Sequence, residues 1–150
     1  MPHTIVNCLI HGVFSTKHRR NLISDELRPR LWAYLGGIAR ENSMKALAVG
    51  GTANHAHILL ALPSTLSVAK AIQLLKGGSS KWVHDSFPTH AAFQWQEGYA
   101  AFSIGISGVR ETVAYIENQE AHHACRSFEE EYKAFLDRHG IACDEQYVFD

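Results

Sequence analysis

The sequence predicts an α+β fold: a ferredoxin-like split βαβ antiparallel sheet with additional C-terminal helices, one of them carrying a tyrosine of interest. Three observations lead there. Hydrophobic spacing switches between a period of two and a period near 3.6 in the order strand, helix, strand, strand, helix, strand or strand pair, helix, helix. The two strands between the first pair of helices are separated only by a glycine and asparagine turn, which makes them antiparallel neighbours. The 150 residues, 46% hydrophobic and 19% charged, suit one domain able to bury a continuous core.

The elements follow in order. His3 to Thr16 (HTIVNCLIHGVFST) mixes β-branched and polar residues and reads as a first strand, ending in a basic loop over Lys17 to Ser24. Ser24, Asp25 and Glu26 mark a helix N-terminus, and Leu27, Leu31, Tyr34, Leu35 and Ile38 recur at helical spacing to about Glu41. Pro29 falls in the early turns, where it disrupts least. Met44 to Gly50 is a second strand and His55 to Leu62 a third.

Pro63-Ser64-Thr65 breaks that strand, and Ser67 caps a second helix running through Val68, Ala71, Ile72 and Leu75 to Trp82 and Val83. Gly77 and Gly78 either weaken this helix or bring its backbone close to a neighbour. Phe93 to Ile106 reads as one or two strands broken around Glu97-Gly98. Ser107 then caps a third helix through Val109, Val113, Ile116 and Gln119, and a charged helix, Phe128 to Arg138, stops at His139-Gly140. In a sheet of this kind the first and third strands lie side by side at the centre.

The opening residues lack a basic leader followed by an unbroken apolar core, and no apolar run reaches the roughly 18 residues of a membrane span, so the expected location is cytoplasmic. Cys8, Cys125 and Cys143 are odd in number and scattered, with no CxxC spacing, which argues against a disulfide framework and a cysteine zinc site. Net charge is −1, yet residues 1–90 hold ten Lys+Arg against four Asp+Glu, and residues 91–150 four against eleven. Such asymmetry predicts one basic working surface and one acidic face, with Lys17, His18, Arg19 and Arg20 the tightest basic run.

The chemistry is concentrated in two segments. In TANHAHILLAL, His55 and His57 stand two apart on a strand, so both rings project to one side while Ala56 points to the other. They are either half-buried strand residues or a pair able to bite one metal ion. In AYIENQEAHH, Tyr115 and Gln119 are four apart and share one helical face, offering a phenol and a neutral oxygen or nitrogen donor together. Taken alone, they read as a half-buried tyrosine and a solvated glutamine.

With FSTKHRR, HAHILLALP, LSVAKAIQLLKGGSSKWVH, FQWQEGYAAFSI and YIENQEAHH in this order, nearly the whole chain resembles the single-tyrosine transposases with a His-hydrophobic-His motif, found in small bacterial insertion sequences, and their repeat-associated relatives. The resemblance implies a single endonuclease domain over 1–150, with His55 and His57 as the metal-binding pair, Tyr115 as nucleophile and Gln119 as the polar third ligand. It also implies a divalent ion, Mg2+ or Mn2+, no nucleotide cofactor, a homodimer without membrane association, and single-stranded DNA with hairpin ends as partner. Cleavage and rejoining would pass through a 5′-phosphotyrosine.

A single strand is held by cations that track its backbone and by stacked aromatics. Arg19, Arg20, Lys76 and Lys81 are the basic candidates, while Trp95 and Tyr99 read as core or interface aromatics and His122 and His123 as structural or solvent-facing. The acidic stretch from Phe128 would repel a phosphate backbone and is expected to pack away from the DNA path. Two rivals remain: a domesticated or non-cleaving DNA hairpin-binding protein, and a metal-dependent hydrolase of small phosphoesters.

Overall fold

A computed structural model of the chain describes residues 3–123 and 127–141. The side chains of His122 and His123, and the whole of Cys125 and Cys143, lie outside the described residues. Strands β1 (Cys8–Ser15), β2 (Lys45–Gly51), β3 (His55–Leu62) and β4 (Ala100–Ile104) form an antiparallel sheet in the order β2-β3-β1-β4. Helix α1 (Leu27–Glu41) connects β1 to β2, and α2 (Val68–Ser86) connects β3 to β4. Three further helices follow: α3 (Val109–Glu117), α4 (Gln119–His123) and α5 (Phe128–Arg138). This is the split βαβ sheet that the element order predicts, with β1 and β3 paired at its centre.

Alternation along the strands sends opposite residues into two different layers. Ile10 and Phe14 of β1 and Ala56, Ile58 and Leu60 of β3 pack under α1 and α2 against Leu31, Leu35, Ile72 and Leu75. The opposite face carries Val13, Ala48 and Leu59, covered by Ile116 of α3 and by Phe128, Phe135 and Leu136 of α5. His11, His55 and His57 are buried on this second face. Among the described residues no helix is long and apolar enough to cross a membrane.

Local signals explain most boundaries. The Ser67 hydroxyl accepts from the Lys70 backbone N–H and starts α2, and Ser127 does the same for Glu130 at the head of α5. Gly77 and Gly78 do not interrupt α2; a Cβ on Gly78 would stand 3.0 Å from the Ile38 side chain, so this glycine serves the close approach of α1. Two expectations need correction. Ser107 lies in a short 3-10 turn and makes no cap, because α3 begins after Gly108 without a side-chain hydrogen bond at its start. The tyrosine helix also does not run through Gln119: it breaks at Asn118 (φ −103°, ψ 23°), whose side-chain amide donates to the Ala114 carbonyl. Gln119 opens α4 instead.

Candidate active site and metal centre

Each histidine is aimed by its surroundings. At the start of β3, His55 Nδ1 lies 2.8 Å from Asn54 Oδ1 and 2.9 Å from Thr52 Oγ1, both in the turn that joins β2 to β3. An amide oxygen only accepts, so with the ring hydrogen on Nδ1 and donated to Asn54, the Nε2 of a neutral ring presents a lone pair. That Nε2 stands 3.1 Å from Gln119 Oε1 and 3.6 Å from Glu131 Oε1. Gln119 Nε2 donates to the Tyr115 carbonyl, which turns the amide oxygen toward the histidines. His57 Nε2 lies 2.9 Å from the same Glu131 Oε1, and the other oxygen of that carboxylate accepts the Tyr115 hydroxyl. The Phe128 ring stacks on His55 at 4.5 Å, closing the site from the α5 side.

His55 Nε2, His57 Nε2, Gln119 Oε1 and Glu131 Oε1 are thus gathered into one cluster, all from buried side chains. In the tautomers that turn lone pairs inward, imidazole nitrogens, carboxylate oxygen and amide oxygen together can hold a cation. The ligand atoms of His55, His57 and Glu131 lie within 4.8 Å of one another, close enough to share one ion. Imidazole, carboxylate and amide oxygen together suit Mn2+ or Zn2+ and admit Mg2+.

Two members of this cluster carry no sequence motif. Glu131 is one of three consecutive glutamates, and only the phase of α5 on the sheet separates it, buried, from exposed Glu130. His11 stands on β1, its Nε2 2.8 Å from His57 Nδ1. Burial above all, then the neighbouring His57, push the His11 imidazole down to about 3, while Glu131 pulls the other way. The helix α5 therefore lies over the histidine pair, and charge summed over a helix says nothing about which of its faces meets the sheet.

The predicted cations occupy different places. The turn after β1 sets His18 and Arg19 at φ 57° and 56°, both left-handed. It is tied to the β3 entrance by the Thr16 N–H donating to the Asn54 carbonyl at 2.8 Å. Arg19 reaches Glu129 of α5 at 2.6 Å, next to the cluster, and Arg20 is exposed beside it. Lys76 donates to the carbonyls of Gly98 (2.7 Å) and Glu97 (3.3 Å), and burial pushes its amine down to about 8, partly opposed by Glu97. Lys81 is exposed and pairs with Asp85 one turn on. Trp95 is a core residue whose indole donates to Ser79, whereas Tyr99 is exposed at the rim of a cavity of about 380 Å³ shared with Lys76.

The family profile described as IS200-like transposase matches residues 4–119, from the first strand through the tyrosine and glutamine. The chain belongs to the IS200-like transposase family. It is 32% identical over 87 residues to the transposase for insertion sequence element IS200 of Salmonella typhimurium, an alignment covering 58% of this chain and 57% of that one. The Salmonella typhi transposase for the same element gives the same figures. The chain thus spans little more than half the length of these curated relatives.

Solved structures share the fold. A provisionally assigned transposase from Deinococcus radiodurans superposes with a TM-score of 0.63 at 22% identity, over 79% of this chain and 95% of that one. A REP-associated tyrosine transposase, solved bound to a REP hairpin, gives 0.59 at 16% identity over 82% and 72%.

Proposed function

We propose that this chain is a single endonuclease domain over 1–150 that cuts and rejoins single-stranded DNA in a metal-dependent reaction, with Tyr115 as nucleophile. One observation carries the reading: the Tyr115 hydroxyl and His57 Nε2 meet on the two oxygens of a single buried carboxylate, Glu131, with His55 Nε2 3.6 Å from the nearer oxygen. A phenol beside a metal-ligand set is what phosphoryl transfer to tyrosine requires.

His55 and His57 would hold the ion, completed by Glu131 and by Gln119 as the polar third donor predicted from sequence. A divalent ion there, Mg2+ or Mn2+, supplies Lewis-acid polarisation of the scissile phosphate. The residues do the rest. Glu131 Oε2 holds the phenolic hydrogen and is placed to take it as the tyrosine oxygen attacks phosphorus. The new O–P bond replaces the P–O3′ bond, leaving a 5′-phosphotyrosine and a 3′-hydroxyl, and attack by another 3′-hydroxyl reverses the step without a nucleotide cofactor. Arg19 and Arg20 flank the entrance and Lys76 and Lys81 line α2, where they would track a strand whose hairpin end is the recognised feature, as in the hairpin-bound relative. The homodimeric state and the cytoplasmic location predicted from sequence belong to the same reading.

The test uses a hairpin-bearing single strand labelled on the 3′ side of the cut, the side that keeps the 5′-phosphate, with Mg2+ or Mn2+ and denaturing gels. Wild-type protein retains the DNA as a covalent adduct, and Tyr115→Phe yields none. Adduct formation by Tyr115→Phe would remove Tyr115 from the role of nucleophile. A second reading, a domesticated or non-cleaving hairpin-binding protein, draws support from the way α5 places Glu129 on Arg19 and Glu131 on the tyrosine. It requires hairpin binding that survives loss of His55, His57 or Tyr115, and no adduct from the wild type.

A further inference from the structure

We infer that His11 is a positioning residue for the metal centre: by accepting a hydrogen bond from His57 Nδ1 it holds the ring in the tautomer and orientation that turn Nε2 toward the ion. The inference rests on the reading of His55 and His57 as ligands. It starts from strand register. β1 and β3 pair with Val13 opposite His57 and His11 opposite Leu59, so His11 and His57 are diagonal neighbours on one face of the sheet. Their rings approach to 5.0 Å between centroids, and His11 Nε2 lies 2.8 Å from His57 Nδ1.

A hydrogen bond between two imidazoles contains one hydrogen, and its position decides what the far side of His57 can do. If the hydrogen sits on His57 Nδ1, His57 Nε2 offers a lone pair and can ligate. If it sits on His11 Nε2, a neutral His57 carries its own hydrogen on Nε2 and is useless as a ligand. Coordination therefore requires His11 to be the acceptor, with its own hydrogen on Nδ1. His11 also lines a cavity of about 430 Å³ bounded by Ser103, Ser107, Tyr115, Arg138 and His139, which leaves space beside the ring for a partner to that N–H.

The packing admits little alternative for the ring. His11 is buried edge-on against Phe135 at 5.2 Å and against Phe102 at 6.3 Å. Its role parallels that of Asn54 and Thr52, which aim His55 from behind at its own Nδ1. Both ligand imidazoles are thus set by a partner on the side away from the ion, and for His57 that partner comes from a different strand, 46 positions earlier in the chain.

The experiment is a Co2+ titration of the full chain, read by the visible absorption of the bound ion, on wild type, His11→Leu, His11→Gln and His55→Ala. Loss of an outer hydrogen-bond partner costs roughly 10- to 100-fold in metal affinity. His11→Leu should bind Co2+ more weakly by about that factor. His11→Gln, whose side-chain oxygen can stand near the Nε2 position, should recover most of the affinity and the wild-type spectrum. His11→Leu with wild-type affinity and spectrum would overturn the inference while leaving the ligand assignment intact. A wild type whose Co2+ binding is unaffected by His55→Ala would overturn the ligand assignment and the inference with it. Should His11→Leu not fold, nitrogen-15 spectra of the Zn2+-loaded wild type decide the matter: His57 must carry its hydrogen on Nδ1 and His11 must lack one on Nε2, and the opposite pattern sinks the proposal.

Discussion

The carbonyl oxygen of Ile116 lies 2.3 Å from the point where a Cβ on Gly50 would stand, so α3 rests directly on the bare backbone of β2. That contact sets the height of the helix above the sheet and, one residue earlier, the height of Tyr115 above His57. A methyl group at Gly50 cannot be absorbed by a flexible side chain, since its neighbour is backbone. Gly50→Ala is expected to lose about 1–3 kcal/mol of stability through overpacking and to lift Tyr115 away from Glu131, lowering adduct formation even well below the melting temperature. Gly36→Ala, on α1 with nothing within 4 Å of its added Cβ, should instead gain about 0.5–1 kcal/mol. Chemical denaturation of both variants, beside the adduct assay, checks the pair.

Divalent metal should stabilise the folded chain, because the ligand set exists only in it. At a free Mn2+ concentration 100 times the dissociation constant the gain is about 2.7 kcal/mol. Thermal melts with Mn2+ and with EDTA measure it; His55→Ala and His57→Ala should melt alike in both, and Glu131→Gln should show a reduced difference. An Mn2+ shift of wild-type size in His57→Ala would contradict the assignment.

Arg19 and Glu129 form an ion pair whose side chains are 29% and 40% exposed, open enough for water and salt to weaken it. A phosphate arriving at the basic turn competes with that carboxylate for the guanidinium. Glu129→Gln should therefore tighten single-strand binding, whereas Arg19→Ala should weaken it and reduce the slope of log affinity against log salt by about 0.7. Fluorescence anisotropy at several salt concentrations reads both effects, and an unchanged slope in Arg19→Ala would remove Arg19 from the DNA path.

Lys76 gives a pH dependence of known sign. Its folded pKa is about 8 against an ordinary 10.5, so between these values the unfolded chain holds the proton more often than the folded one. Stability contributed through this amine is lowest below pH 8 and rises from pH 8 toward 10.5. Urea unfolding over that range should show the rise in wild type and a flatter curve in Lys76→Met. The same depression predicts that Lys76 is modified by amine reagents near pH 8 ahead of exposed Lys81, whose pairing with Asp85 raises its pKa.

Much of this was legible in the sequence, and the reasons are local. His55–Leu62 was readable to the residue because a turn ends where an apolar run begins, and Phe128–Arg138 because a charged helical stretch stops at His139-Gly140. The His55, His57 and Tyr115 neighbourhood was accessible because each residue belongs to a compact motif. His11 and Glu131 were not, since each depends on a relation between distant elements: the β1–β3 register for one, the rotation of α5 against the sheet for the other. The break at Asn118 left no glycine or proline to mark it. Nor could composition reveal that Lys76 is held by two backbone carbonyls.

Because Glu131 uses one oxygen for His57 and the other for Tyr115, electron density withdrawn at the first is felt at the second. The phenol is therefore a built-in optical probe of the neighbouring imidazoles. Titrating metal into DNA-free protein should displace the near-ultraviolet band of this one tyrosine, a signal that Tyr115→Phe erases and that needs no label, substrate or turnover to observe.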